Sequence, residues 1–259
     1  MLISGRIFSL VLTLVVCGAV LYFSWRGKRT GKIPFVRKIA GLDAIDEAVG
    51  RAAEMGRPVF WTSGWAGAGT RLYSTSGPAL VASVSILNYV SRLAAQKDAK
   101  VIAAICGSEM LPVVEEAMRM GYVAEGKADK YRPENIYYFP EQSYTIATVS
   151  LMKREQIASG VYAGPFGHDA IILGETGYLL KALTVAASTG NLPFLLATCD
   201  YVLIGEELLA AGAYLSKDSV SLGGILGEDL GKIIELSLLA IGVALVSAGS
   251  KLMLDLLRF

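Results

Sequence analysis

"FWTSGWAGAGTRL", residues Phe60 to Leu72, joins a short apolar, aromatic run to a turn containing Gly64, Gly67 and Gly69, and a long helix-like segment follows soon after. Strand, glycine-rich turn and helix in that order form the opening unit of an α/β domain, with the turn at the sheet's carboxyl edge, where ligands of such folds bind. A P-loop needs G-x-x-x-x-G-K-[ST], so that backbone N–H groups face phosphates and a lysine reaches their outer oxygens. Gly64 and Gly69 have that spacing, but Thr70 and Arg71 stand where the lysine and the hydroxyl residue belong. The dinucleotide pattern G-x-G-x-x-G is absent too, because these glycines run G-x-x-G-x-G. Two readings stay open: a flexible connection, or a site at which Gly64, Gly67, Gly69, Thr70 and Arg71 bind a small anionic ligand.

Outward from this stretch, strand and helix patterns alternate between about Ile39 and Gly231. "GLDAIDEAVGRAAEMG" carries Leu42, Ile45, Val49 and Ala52 at helical spacing, with Gly56 as its stop. "SGPALVASVSILNYVSRLAAQKD" reads as a second helix with Pro78 in its first turn, and "AKVIAAIC" as a strand. "IYYFP", "SGVYAG", "ALTVAAS" and "LPFLLATC" read as further strands, while "HDAIILGETG" and "DYVLIGEELLAAGAYLS" read as helices, the last capped by Asp200. Apolar strands alternating with helices predict a mostly parallel sheet covered on both faces, a Rossmann-like three-layer α/β domain.

The two ends differ in kind. The chain has 259 residues, 53% of them hydrophobic, which is too apolar for an ordinary soluble domain. The excess sits in "IFSLVLTLVVCGAVLYFSW" (7–25) and in "IIELSLLAIGVALVSAG" (233–249). Each approaches the ~20 residues that cross a bilayer, and Tyr22, Phe23 and Trp25 suit a membrane interface. No small-x-small cleavage site follows the first run, so it reads as an uncleaved anchor. The expected layout is an N-terminal anchor (1–25), a basic juxtamembrane linker (26–38), a cytoplasmic α/β domain (39–231) and a C-terminal membrane helix (232–259). Arg26, Lys28, Arg29, Lys32, Arg37 and Lys38 follow the first span without an intervening acid, which places the central domain in the cytoplasm and both termini outside. This stretch suits membrane lipids; a formal charge of +1 for the chain gives no case for nucleic acid. The polar "SLGGILGEDLGK" reads as a linker bent at its glycines.

Candidate chemistry is sparse. His168, the one histidine, lies beside Asp169, but adjacent side chains on a helix do not face each other. Glu175 stands in an apolar, small-residue stretch as a semi-buried carboxylate that needs a partner. Asp200 sits at a strand end, equally suited to a site and to a helix cap. These three are the weak catalytic candidates. Three cysteines without C-x-x-C spacing make neither a disulfide framework nor a zinc site, and no metal or cofactor is expected. In the second span Ala240, Ala244 and Ala248 repeat on one helix face, the small-xxx-small pattern of close helix association in lipid.

"RKIAGLDAIDEAVGRAAEMGRPV" (37–59), "ILGETG" (172–177), "CDYVLIGEELLAAGAYLS" (199–216) and "LGEDLGK" (226–232) together resemble an uncharacterised family of prokaryotic membrane proteins catalogued as a domain of unknown function. The resemblance implies a prokaryotic inner membrane and the same anchor, α/β domain and anchor layout. It carries no catalytic residues. The expected function is a non-catalytic scaffold that self-associates or docks other membrane-complex subunits. The alternative is an enzyme or sensor for a small anionic metabolite at the sheet's carboxyl edge.

Overall fold

A computed structural model describes residues 7–30, 40–65, 72–216 and 219–249. They form two compact units: a helix pair drawn from the two ends of the chain, and an α/β domain between them in sequence.

In the α/β domain, α2 (Ala40–Met55), β1 (Val59–Thr62), α3 (Gly77–Lys97), β2 (Val101–Ile105), α4 (Leu111–Ala124) and β3 (Ile136–Tyr138) build one half. The other half is α5 (Tyr144–Glu155), β4 (Ser159–Ala163), α6 (Asp169–Leu179), β5 (Leu183–Ser188), α7 (Leu192–Thr198), β6 (Tyr201–Ile204) and α8 (Glu207–Ser216). The strands among the described residues pair in parallel in the order β3-β2-β1-β4-β5-β6. This is the doubly wound Rossmann order, in which the chain starts in the middle and winds outward in both directions. In register, Val59 lies opposite Val101 on one side and Ser159 on the other.

Alternation along the strands divides the core in two. Trp61, Ala103, Ile105 and Val161 join Ile45, Val49, Leu80, Ile86 and Leu87 beneath α2, α3, α4 and α8. Phe60, Ile102, Ala104 and Tyr162 join Leu151, Met152, Phe166, Leu173 and Leu195 beneath α5, α6 and α7. Both faces of the central strands are therefore covered, and β1, β2, β4 and β5 are buried at every residue. The helix α3 is long and apolar enough to cross a membrane, but 61% of it is buried, against 6% for each of the two end helices. It is a core helix.

Two neighbouring elements differ from their sequence readings. "LPFLLATC" forms α7 rather than a strand, and the last strand is "YVLI" within the stretch read as helical. Pro193 occupies the first turn of α7, and among its residues Leu195 alone is buried. A seven-residue apolar run carries no periodicity that separates a short helix from a buried strand.

The helix pair is α1 (Ile7–Thr30) with α9 (Ser219–Ser247). The glycines expected to bend a linker lie inside α9, on one face at four-residue spacing. A Cβ at Gly223 would stand 2.5 Å from the carbonyl oxygen of Phe23, one at Gly227 2.5 Å from Cα of Val20, and one at Gly231 3.3 Å from Cγ1 of Val16. The order of these contacts makes the helices antiparallel, and only hydrogen at each Cα permits so close a backbone approach. A polar stretch rich in glycine resembles a linker in composition, whereas its spacing is that of a packing ridge. A Cβ at Gly224 would lie 3.6 Å from Oγ of Ser24. In a Cys17→Ser background, Ser24→Cys with Gly224→Cys is therefore expected to form an intrachain disulfide in the folded chain. Adding Gly227→Leu should abolish that bridge, as read by the mobility shift on reduction.

Candidate functional site

In a doubly wound sheet the crevice for a ligand opens where successive crossovers depart to opposite faces, here between the carboxyl ends of β1 and β4. The two loops that leave these strands are packed against each other. Gly64 adopts φ +71°, and a Cβ there would lie 2.6 Å from the Phe166 ring and 2.7 Å from the carbonyl oxygen of Pro165. Gly164 adopts φ +143° with its Cα against the Ser63 backbone. Both positions require glycine for conformation and for space.

A buried carboxylate stitches the loops together. Asp169, 1% exposed at the first turn of α6, accepts hydrogen bonds from the backbone N–H of Trp65 (2.9 Å) and of Gly167 (2.7 Å), and Gly167 also donates to the Trp65 carbonyl (2.9 Å). Amides at such a crevice commonly hold a ligand's phosphate. Here two of them hold the protein's own carboxylate. Burial pushes the Asp169 carboxyl up to about 6, with the Trp65 and Gly167 amides opposing the shift.

Beneath the loops, Thr62 is the centre of a second network. Its hydroxyl donates to the Ala104 carbonyl at 2.9 Å and accepts from the Gly64 N–H at 3.2 Å and from the Tyr144 hydroxyl. One donor and two acceptor positions are thereby filled. Burial, reinforced by the charge of Asp169, holds the Tyr144 phenol far above its ordinary range. Cys106, just beyond β2, has its thiol pushed up to about 12 by burial and by the carboxylates of Glu141, Asp169 and Glu109. Both shifts favour the protonated thiol and phenol near neutral pH.

The expected site residues are scattered. His168 is exposed at the N-cap of α6. Glu175 is exposed on that helix, not semi-buried as expected, because the apolar residues around it alternate between its covered and its open face. Asp200 precedes β6 and so lies at the amino edge of the sheet, opposite the crevice. Its carboxylate accepts from the Thr184 N–H (2.8 Å) and hydroxyl (2.9 Å), and its own N–H donates to that hydroxyl at 3.1 Å. It ties β5 to β6 and caps no helix. Gly64 lies in the crevice, while Gly67, Gly69, Thr70 and Arg71 fall outside the described residues. Ala240 and Ala244 are exposed on α9, and Ala248 is exposed just beyond its end. Asp169, Thr62 and Tyr144 were missed as a group, since nothing in their spacing announces that three separate elements meet.

An open groove of about 220 Å³ lies elsewhere, among Val84, Asn88, Tyr89, Arg92, Ala117 and Leu215. Its polar groups serve the fold: Asn88 donates to the Ala117 carbonyl at 2.8 Å and Arg92 to Glu125 at 3.0 Å.

A family model described as a domain of unknown function (DUF6754) matches residues 1–257, and the chain belongs to that family. No curated protein and no solved structure matches it.

The raised carboxyl of Asp169 has a measurable consequence. An unfolded aspartate releases its proton near 3.8, whereas the folded chain holds it until about 6. Between those values the folded state binds the extra proton, so the contribution of Asp169 to stability falls as pH rises through this window and is level above it. The change is about 3 kcal/mol in all, at 1.36 kcal/mol per pH unit. Asp169→Asn is expected to remove it. Urea midpoints of parent and variant compared at pH 4 and pH 7 check this, and a difference between them that is constant with pH would contradict it.

Proposed function

We propose that this family member is a membrane-anchored α/β scaffold: α1 and α9 hold it in a prokaryotic inner membrane, and the domain docks copies of itself or other membrane-complex subunits without catalysing a reaction. The observation that carries this reading is the apolar exterior of the helix pair. Leu14 is 63% exposed, Leu21 70%, Leu236 66% and Leu239 67%, a surface suited to lipid and costly in water. The basic residues after Phe23 favour the cytoplasm for the α/β domain, with both termini outside.

Two further surfaces support association. Ala240 and Ala244 on α9 and Ala248 just beyond its end are exposed, and small side chains there allow another helix to approach. On the α/β domain, Ile171, Ile172, Tyr178 and Leu179 of α6 and Leu196 of α7 are large apolar side chains left exposed, as a docking face requires. The chemistry of the crevice is consistent with the non-catalytic reading. Its thiol and phenol stay protonated, and its buried carboxylate is engaged by backbone amides.

A second reading, binding of a small metabolite at the carboxyl edge, has its own support. The Nε1 of Trp65 and the Oε1 of Glu109 are buried with no hydrogen-bond partner among the described residues, and they follow the adjacent strands β1 and β2. A ligand offering an acceptor and a donor would satisfy both.

Native mass spectrometry of the detergent-extracted full-length chain separates the readings. The scaffold predicts a defined multimer without added mass, weakened by Ala240→Leu with Ala244→Leu and Ala248→Leu. A chain that stays monomeric at membrane-like density contradicts the scaffold, and a stoichiometric co-purified metabolite supports the second reading.

A further inference from the structure

The two edges of the sheet are unlike. At one edge β3 is three residues long, short enough to offer little to another strand. The other edge is β6, Tyr201–Ile204, and no strand lies beyond it among the described residues. Its sequence, Tyr-Val-Leu-Ile, contains neither the charge nor the proline that keeps exposed edges from pairing.

The register fixes which backbone groups face outward. The Gly205 N–H donates to the Ser188 carbonyl at 2.9 Å, and Ser188 lies opposite Ile204. In a parallel ladder alternate residues turn to the same neighbour, so Leu203 and Gly205 face β5 while Val202 and Ile204 face the open side. The Ile204 N–H is taken by Oε2 of Glu207 at 2.9 Å, and the Asp200 N–H by the Thr184 hydroxyl at 3.1 Å. Between these two satisfied amides, Val202 directs both its N–H and its C=O outward.

The side chains around Val202 are apolar. Tyr201 is 41% exposed and Ile204 48%, while Phe194 (38%) and Leu196 (54%) stand on α7, which packs against β6. Four such side chains offer on the order of 400 Å² of apolar surface, close to the nonpolar share, about 57%, of the ~800 Å² that each partner covers in a standard interface.

We propose that β6 pairs with β6 of a second copy, antiparallel about a two-fold axis at Val202, so that the sheets of two chains run on as one. Val202 residues that face each other across the axis exchange both N–H···O=C bonds. The match is self-complementary, because each copy presents the same donor and acceptor at the same place. The axis also brings α7 of each chain to the same side of the joined sheet, where Phe194, Leu196 and Ile204 of both copies cover one another. The inference rests on the scaffold reading and names the face through which copies of the domain meet.

A cysteine at position 202 reads the contact directly, since the Cα atoms of such a pair are about 5.5 Å apart, within disulfide range. Full-length chain carrying Cys17→Ser and Val202→Cys is oxidised after detergent extraction, with Cys17→Ser alone as the control for Cys106 and Cys199. A disulfide-linked homodimer is expected from the first chain and not from the control. Adding Leu196→Glu with Ile204→Glu should abolish it by setting like charges across the axis, with the urea midpoint of the chain retained. Ile146→Glu, at a position 75% exposed on α5, should leave the dimer intact. Absence of the link, its survival in the Leu196→Glu, Ile204→Glu chain, its loss in the Ile146→Glu chain, or a link to a different polypeptide would overturn the proposal. Native mass spectrometry of the parent separates this failure from that of the scaffold. A multimer without the cross-link overturns the β6 interface alone, whereas a monomer overturns both.

Discussion

The carboxylate of Asp169 holds together the place where the fold changes direction. In a doubly wound sheet the connections after β1 and β4 leave neighbouring strand ends for opposite faces, and the gap between them is a line of unpaired backbone groups. This chain closes it with one side chain and two amides, those of Trp65 and Gly167, and with two glycines that let the loops touch. Thr62 and Tyr144 brace the closure from below. A charge buried in this way is tolerated because hydrogen bonds replace its water, and its raised proton affinity is the residue of an incomplete compensation. At the position where this architecture most often holds a nucleotide, the described residues of the two loops are tied to each other.

Much of the fold was legible because its cause is local. Apolar runs of strand length alternating with amphipathic helices lead to a covered parallel sheet, and Leu42, Ile45 and Val49 are buried as their spacing predicts. Short apolar stretches at the edge of the sheet were not legible. Leu192–Thr198 and Tyr201–Ile204 are similar in composition and differ in outcome, and that exchange moved Asp200 from the expected functional edge to the opposite one. The candidate site was less readable still. Asp169 was visible as a neighbour of His168, but its importance comes from Trp65, more than a hundred positions away. Sequence proximity drew attention to the exposed histidine; tertiary packing gave the role to the residue beside it.

The helix pair shows a related contrast between composition and spacing. Gly223, Gly227 and Gly231 sit among charged residues, as a flexible connection would, yet their four-residue interval makes a flat face on which α1 rests. Glycine is a poor helix former in isolation. In α9 the cost is offset by close packing along Val16, Val20 and Phe23, so the same residues that weaken the helix by itself create its partner surface.

Pairing α1 with α9 also joins the two ends of the polypeptide, which turns the α/β domain into a tethered loop. When such a domain unfolds, its chain does not gain the full freedom of one with loose ends, because Phe23 and Gly223 stay side by side. The entropy withheld from the unfolded ensemble grows only slowly with loop length, and a covalent closure of this size would withhold on the order of 5 kcal/mol. The hairpin therefore acts as a non-covalent counterpart of backbone cyclisation. Dismantling it makes unfolding of the domain entropically easier without altering one contact inside the sheet.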